Sequence, residues 1–159
     1  MNTEPQKEHR WLDRLVGEWT FEGECSMGPD QPAMKNTGVE VVRSIGGLWT
    51  IGEGENEMPE GGMGKSVMIM SLGYDPKAGR FVGTFIASMM THLWVYSGSL
   101  DGNVLVLDAE GPSFTGEGMG KYRDSIEFID DDHRTLTSHV LGENGEWQLF
   151  MTAHYRRKS

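Results

Sequence analysis

The sequence predicts an all-β protein: a single antiparallel up-and-down β-barrel of about ten strands with a short N-terminal helix. Two observations support this prediction. Segments with strand-like alternation follow one another almost without interruption from Glu18 to Tyr155. Most of them are joined by short stretches that contain glycine. Strands joined by tight turns pair with their neighbours, and a sheet of this many strands closes on itself because closure removes its exposed edges.

The chain opens with an amphipathic segment, residues 7–16, which predicts a short helix. His9, Leu12 and Leu15 are at helical spacing, and the charged residues between them can face solvent. Gly17 is a typical residue for ending such a helix. In a barrel this helix would either plug one end or brace the surface, and the sequence leaves both open.

Ten segments after this helix have the composition of strands, and the turns between them carry their own signals. Pro76 and Gly79 suit a tight turn, and Asp101-Gly102 and Asn144-Gly145 are strong hairpin signals. The predicted strands are Glu18–Ser26, Asn36–Ile45, Leu48–Asn56, Ser66–Tyr74, Arg80–Ala87, His92–Ser99, Val104–Ala109, Gly120–Ile129, Thr135–Leu141 and Glu146–Tyr155.

Two longer irregular stretches, residues 57–64 and residues 110–118, interrupt this pattern. Long loops are often functional lids, so we expect the two stretches to gate the interior if both lie at one rim; plain surface connections are the alternative. No break in composition divides the chain. We therefore expect one domain over residues 1–159, with the helix at 7–16 and the barrel at 18–156.

Composition excludes several classes of function. The 159 residues include 24 acidic and 14 basic side chains, a formal charge of −10, which would repel phosphate backbones and anionic membranes. No apolar run approaches the roughly 20 residues that span a bilayer. The N-terminus lacks the features of a secretory signal, and the lone Cys25 excludes an internal disulfide. We expect a cytoplasmic protein that binds neither nucleic acid nor membranes. The spacing of the histidines predicts no metal site.

The interior of a closed barrel is either filled by side chains or holds a ligand cavity. In one predicted strand, His92, Trp94 and Tyr96 share a face, which predicts a ligand wall or, alternatively, core packing. In the last strand, Trp147, Leu149, Met151, Ala153 and Tyr155 are expected on one face and Gln148, Phe150, Thr152, His154 and Arg156 on the other. The predicted ligand-binding residues are Trp49, Met68, Met70, Trp94, Tyr96, Tyr122 and Tyr155, with His92 and Arg123 as polar anchors.

Arg123 and Asp124 are consecutive, so only one of them can face the interior. We predict that Arg123 does so, where it would bind an acidic group of the ligand. The alternative is an ion pair on the outer surface.

Several segments resemble known families. Leu15-Val16-Gly17-Glu18-Trp19 resembles the Gly-x-Trp opening of lipocalin-like barrels, in which the Trp packs at the closed end. Blocks over nearly the whole chain resemble the bacterial domain-of-unknown-function family 1579: Arg43–Trp49, Leu72–Pro76, Phe81–Thr84, Met89–Trp94, Lys121–Asp124 and Phe150–Arg157. This resemblance implies a calycin-type barrel and brings no established activity with it.

The opening strand is also similar, more weakly, to that of nitrobindin-type haem barrels, through Leu15, Gly17 and Trp19. Those barrels bind haem through a histidine in the final strand. His154 lies in that strand, whereas alignment on the terminal Tyr-basic-basic run places Phe150 nearer the ligand position, so the resemblance does not assign a haem ligand.

The sequence thus predicts a protein that binds a small, apolar or amphipathic ligand inside a barrel. One alternative is an enzyme in which His92 or His154 transfers a proton, as in an isomerisation or cyclisation. Others are a haem-binding barrel, haem being the only cofactor considered, and a filled barrel with a role in assembly. A homodimer is compatible with this kind of barrel, although nothing in the sequence requires one.

Overall fold

A computed structural model describes residues 3–26, 32–58 and 64–158, and the strands in this part of the chain close into one barrel. The elements are α1 Lys7–Asp13, β1 Gly17–Cys25, β2 Met34–Ile45, β3 Trp49–Met58, β4 Gly64–Asp75, β5 Arg80–Ala87, β6 Trp94–Asp101, β7 Val104–Pro112, β8 Met119–Asp130, β9 His133–Leu141 and β10 Trp147–Arg157. Each strand pairs antiparallel with the next, and β1 pairs with β10 to close the barrel. The predicted all-β barrel of ten strands is confirmed.

Turns form where the sequence predicts them. Gly79 joins β4 to β5 with φ of 70°, and Gly102 joins β6 to β7 with φ of 60°. Glycine adopts this left-handed conformation without the steric cost that a side chain would add. In the first of these turns, Asp75 Oδ1 accepts hydrogen bonds from the backbone N–H groups of Lys77 and Ala78, which holds the turn in shape.

The helix α1 closes one end of the barrel. Leu12 is 1% exposed, and Leu15, in the turn that follows the helix, is 3% exposed. His9 Nε2 donates to the carbonyl oxygen of Tyr74 at 3.0 Å, which ties the helix to β4. The helix therefore acts as a plug. It ends at Asp13, three residues before the predicted boundary. No helix in the described residues is long and apolar enough to cross a membrane.

Trp19, at the start of β1, links the parts of this closed end. Its indole Nε1 donates to the carbonyl oxygen of Leu15 at 2.8 Å. The guanidinium groups of Arg134 and Arg157 lie 4.5 and 4.3 Å from the centroid of its ring, a favourable cation–π arrangement. Arg157 also donates to the carbonyl oxygen of Val16 at 2.8 Å. The Trp of the Gly-x-Trp opening thus packs at the closed end, as the lipocalin-like resemblance implies.

Candidate functional site

The other half of the barrel holds a cavity of about 440 Å³. It lies at the end opposite α1, where β1, β3, β5, β7 and β9 finish. Its wall is built mainly from methionine and aromatic side chains, with a few polar groups. Small-molecule sites typically have volumes of about 300–1,000 Å³ and walls of this composition.

Seven of the nine predicted ligand-binding residues line this cavity: Met68, Met70, His92, Trp94, Tyr96, Tyr122 and Tyr155. Because they come from β4, from the segment before β6, and from β6, β8 and β10, the barrel brings together side chains that are far apart in sequence. Their role in binding remains a prediction.

The prediction that Arg123 faces the interior is wrong. Arg123 lies on the outer face of β8, where its Nε donates to Asp108 Oδ1 at 2.7 Å. Its guanidinium group lies 4.3 Å from the ring centroid of Trp147. Both side chains of the ion pair are substantially exposed, so the observed arrangement is the surface ion pair, the alternative that the sequence left open.

Trp49 is the second predicted residue that lies outside the cavity. It occupies the outer face of β3 and is 43% exposed. Its partner across the β3–β4 pair is Gly73, and a Cβ atom at Gly73 would collide with the Trp49 ring. The missing side chain gives the ring a flat surface to cover, an aromatic–glycine pairing known to support strands.

His154 also faces outward, contrary to its candidacy as a catalytic residue in the interior. Its Nδ1 lies 3.0 Å from Nε2 of His133. The predicted alternation along β10 fails at a β-bulge between Leu149 and Met151, where Phe150 is the extra residue. The bulge places Phe150 in the cavity wall together with Met151.

Asp124 is the charged group that replaces Arg123 inside the barrel, and the sequence analysis missed it. Its Oδ2 accepts a hydrogen bond from the Tyr96 hydroxyl at 2.5 Å, and its Oδ1 accepts one from the Ser138 hydroxyl at 2.6 Å. Burial raises the pKa of the Asp124 carboxyl, although both hydrogen bonds act in the opposite direction. Burial, followed by the nearby Asp124 carboxylate, also raises the pKa of Tyr96.

The sequence did contain the signal for Asp124. Tyr122, Asp124, Ile126 and Phe128 alternate along β8, and three of these four side chains are aromatic or aliphatic. Since Tyr122 and Arg123 are consecutive, a regular strand could not turn both inward. Choosing Tyr122 as a lining residue therefore implied Asp124.

A second polar pair lies where the cavity meets the filled half of the barrel. Arg134 donates to Glu40 Oε1 at 2.5 Å, and their side chains are 4% and 15% exposed. The guanidinium group also lies 4.0 Å from the ring centroid of Tyr155. Glu40 is neutralised by this contact. Among the described residues that line the cavity, Asp124 is consequently the acidic side chain without an ion pair.

The mouth of the cavity is formed partly by residues 88–93 and 113–118. His92 Nε2 donates to the carbonyl oxygen of Glu110 at 2.9 Å, and Trp94 Nε1 donates to Met90 Sδ at 3.0 Å. Phe114 lines the cavity, and its ring centroid lies 5.0 Å from that of Phe150. Of the two predicted gating stretches, most of residues 57–64 lie outside the described residues, and gating by residues 110–118 remains a prediction.

Comparison with known proteins identifies the family. A family described as "Protein of unknown function (DUF1579)" matches residues 4–157. The chain belongs to the DUF1579 family. A search of curated proteins finds no significant match.

The solved structures that are similar to this DUF1579 barrel include two that cover nearly the whole chain. Rv2717c from M. tuberculosis has 16% sequence identity and a TM-score of 0.65, over 98% of this chain and 100% of that chain. The S-type phycobiliprotein lyase CpeS from Guillardia theta has 13% identity and a TM-score of 0.60, over 97% of this chain and 94% of that chain. At these identities the likeness shows the shared fold.

The cavity of the DUF1579 barrel does not fit a haem group held from the final strand. His154 is on the outer face, and Phe150 and Met151 occupy the cavity side of β10. Within the cavity wall, His92 already has its Nε2 engaged with a backbone carbonyl oxygen. The described residues also contain no group of three or more His, Cys, Asp or Glu side chains placed to hold a metal ion.

Proposed function

We propose that the chain binds a small, largely apolar ligand inside its barrel. The observation that carries this proposal is the cavity of about 440 Å³, because a barrel without a ligand role can fill its interior with side chains. The barrel fold is shared with a protein described as an S-type phycobiliprotein lyase, which is consistent with a role beyond a purely structural one.

The composition of the wall supports an apolar ligand. Met68, Met70 and Met151 have flexible, polarisable side chains that adapt to ligands of irregular shape. Phe85 and Trp94 add large apolar surfaces that a ligand can cover. Removing such surfaces from water favours binding by roughly 25 cal/mol per Å² before the costs of association are subtracted.

Access is expected from one side only. The closed end is sealed by α1 and the buried side chains beneath it, including Leu72, Phe81 and Phe128. At the opposite end, Met89, Met90 and Phe114 belong to connecting segments rather than to strands. A ligand would therefore enter between these connections, which can move without disturbing the strand pairing.

The proposal is tested by titrating the protein with N-phenyl-1-naphthylamine, a neutral apolar probe whose fluorescence rises in apolar surroundings. Ala109 lines the cavity from β7, so Ala109→Phe adds a ring inside it. Ser97→Phe adds the same ring to an exposed position on β6 and is the matched control.

We expect saturable fluorescence with the native protein and with Ser97→Phe, and at least about tenfold weaker binding to Ala109→Phe, since the added ring occupies the ligand's volume. Circular dichroism and thermal melting establish that both variants fold. No binding to the native protein, or equal binding to a folded Ala109→Phe, would overturn the proposal. Native mass spectrometry of gently purified protein would reveal a ligand retained from the cell as extra mass.

A further inference from the structure

We infer that the ligand is an amphipathic organic cation whose charged nitrogen pairs with Asp124. This inference rests on the proposed function, because it assigns the polar end of a ligand that the cavity holds. It also reverses the charge expected from an inward Arg123: the cavity selects an amine or ammonium group and rejects a carboxylate.

The first argument is the state of the Asp124 carboxylate. Tyr96 and Ser138 hold its two oxygens with neutral hydroxyl groups at 2.5 and 2.6 Å. These contacts orient the carboxylate without neutralising it, and each oxygen retains a further site for a donor. A buried carboxylate is costly unless it is paired with a cation. Asp124 forms no ion pair within the described residues, so a cationic ligand would supply the missing partner.

The second argument is the aromatic wall of the cavity. Trp94 and Tyr122 have ring centroids 4.9 Å apart and planes at 88° to each other, and Tyr122 and Phe150 are 6.1 Å apart at 81°. These three rings line the same cavity as Asp124. The face of an aromatic ring attracts a cation within about 6 Å of its centroid.

The third argument is an acceptor in the cavity wall that has no donor. The donors already engaged with other protein groups are the hydroxyl groups of Tyr96, Tyr122 and Ser138 and the indole N–H of Trp94. By contrast, Asn36 Oδ1 is buried without a hydrogen-bond partner, and Asn36 also lines the cavity. Acceptors that await a donor suit a ligand with N–H groups.

An anionic ligand would have no comparable partner. Arg134 is committed to Glu40 at 2.5 Å and lies beneath the cavity rather than in its wall. An anion would also meet the Asp124 carboxylate, and like charges at close range in an apolar site repel strongly.

The experiment compares three ligands with one apolar skeleton by isothermal titration calorimetry: 1-naphthylmethylamine, 1-naphthalenemethanol and 1-naphthoic acid. Asp124→Asn removes the charge in the cavity while keeping its shape. Asp108→Asn removes one carboxylate from the outer surface and is the matched control for overall charge. The three proteins are measured at pH 7, with thermal melts to establish folding.

We expect the amine to bind the native protein and Asp108→Asn at least about tenfold more tightly than the alcohol, as a charge-assisted hydrogen bond allows. The acid should bind most weakly. In Asp124→Asn, the amine should lose its advantage over the alcohol. Equal binding of amine and alcohol to the native protein, or an amine preference that survives in Asp124→Asn, would overturn the inference.

A pH series on the native protein provides a second test that needs no variant of Asp124. Burial raises the pKa of Asp124, so the amine must displace a proton from this carboxyl at low pH. The affinity for the amine should therefore decrease as the pH is lowered, while the affinity for the alcohol stays constant. The titratable groups around Asp124 are Tyr96 on β6, Tyr155 on β10 and His139 on β9. Repeating the series with His139→Gln separates the contribution of the histidine. An amine affinity that is independent of pH between 4 and 7 would contradict the pairing.

The two proposals fail in different ways. If N-phenyl-1-naphthylamine and the alcohol bind in the cavity but the amine has no advantage, the charge assignment fails and the proposed function stands. If neither the two neutral probes nor the amine binds, both proposals fail.

Discussion

The buried pair of Glu40 and Arg134 allows a quantitative test of the charge arrangement in this barrel. Glu40→Gln leaves the Arg134 guanidinium, 4% exposed, without its counter-ion. Its Nε already lacks a hydrogen-bond partner, so no other acceptor is in place to compensate. Breaking a buried ion pair by removing one partner costs about 3–5 kcal/mol. We expect a loss near the lower end of this range, because the Gln oxygen can still accept one hydrogen bond.

The exposed pair of Arg123 and Asp108 supplies the control. Its side chains are 37% and 53% exposed, and pairs of this kind contribute about 0.2–1 kcal/mol. For a domain of this size, 1 kcal/mol shifts Tm by roughly 2–4 °C. Glu40→Gln should therefore lower Tm by about 6–12 °C, and Asp108→Asn by no more than about 4 °C.

Thermal melting measures the changes in Tm, and urea denaturation at pH 7 followed by tryptophan fluorescence measures the free energy of unfolding. A third variant, Glu40→Met with Arg134→Met, removes both charges, and buried pairs replaced by apolar side chains of similar size are often no less stable. We expect this double variant to be more stable than Glu40→Gln. If Glu40→Gln and Asp108→Asn lose the same free energy of unfolding, the reasoning about buried charge in this barrel is refuted.

Two further predictions concern Gly38 and Asp124. A Cβ atom at Gly38 would overlap the backbone carbonyl oxygen of Glu55 and the ring of Phe21, so Gly38→Ala should lower the urea midpoint. Gly120→Ala is the control and should leave the midpoint unchanged, because the nearest atom to the added Cβ would be 3.5 Å away. Equal midpoints for the two variants would contradict this prediction. Burial raises the pKa of Asp124 above its ordinary value of 3.8, so the folded state binds the carboxyl proton more tightly than the unfolded state does. The stability that this protonated carboxyl contributes is lost as pH rises through the folded pKa. Asp124→Asn should therefore be more stable than the native protein at pH 7, with the difference shrinking towards pH 3.5; urea curves at both pH values check this, and a native protein that is the more stable at pH 7 would contradict it.

Element positions were predictable because their signals are local. Glycines at the turns and alternation within each strand are read from a few neighbouring residues. The ten predicted strands each correspond to an observed strand, with boundaries that differ by a few residues, as β6 shows by starting at Trp94 instead of His92. The common face of His92, Trp94 and Tyr96 follows from the same local rule, and all three line the cavity.

The errors came from features that alternation does not contain. Alternation divides a strand into two faces without saying which one is inside, so Arg123 and Asp124 exchange places when the choice is wrong. The extra residue in β10 is visible only against its partner β9, and it turns Phe150 inward. Trp49 lies outside, where its ring covers a glycine on the neighbouring strand. Each of these depends on a residue in another strand.

The position of Asp124 along β8 connects stability with the proposed binding. Ile126 and Phe128, further along the same inward face, are 2% and 3% exposed in the filled half, and Tyr122 lines the cavity. Asp124 therefore stands at the boundary, where packing from one side excludes water and the cavity leaves the other side open. An apolar residue there would stabilise the empty barrel. A carboxylate lowers that stability at neutral pH, and a bound cation would restore it, because binding to the folded state alone adds to its stability. The stability that the Asp124 carboxylate removes from the empty barrel therefore supports a cavity that binds a cation.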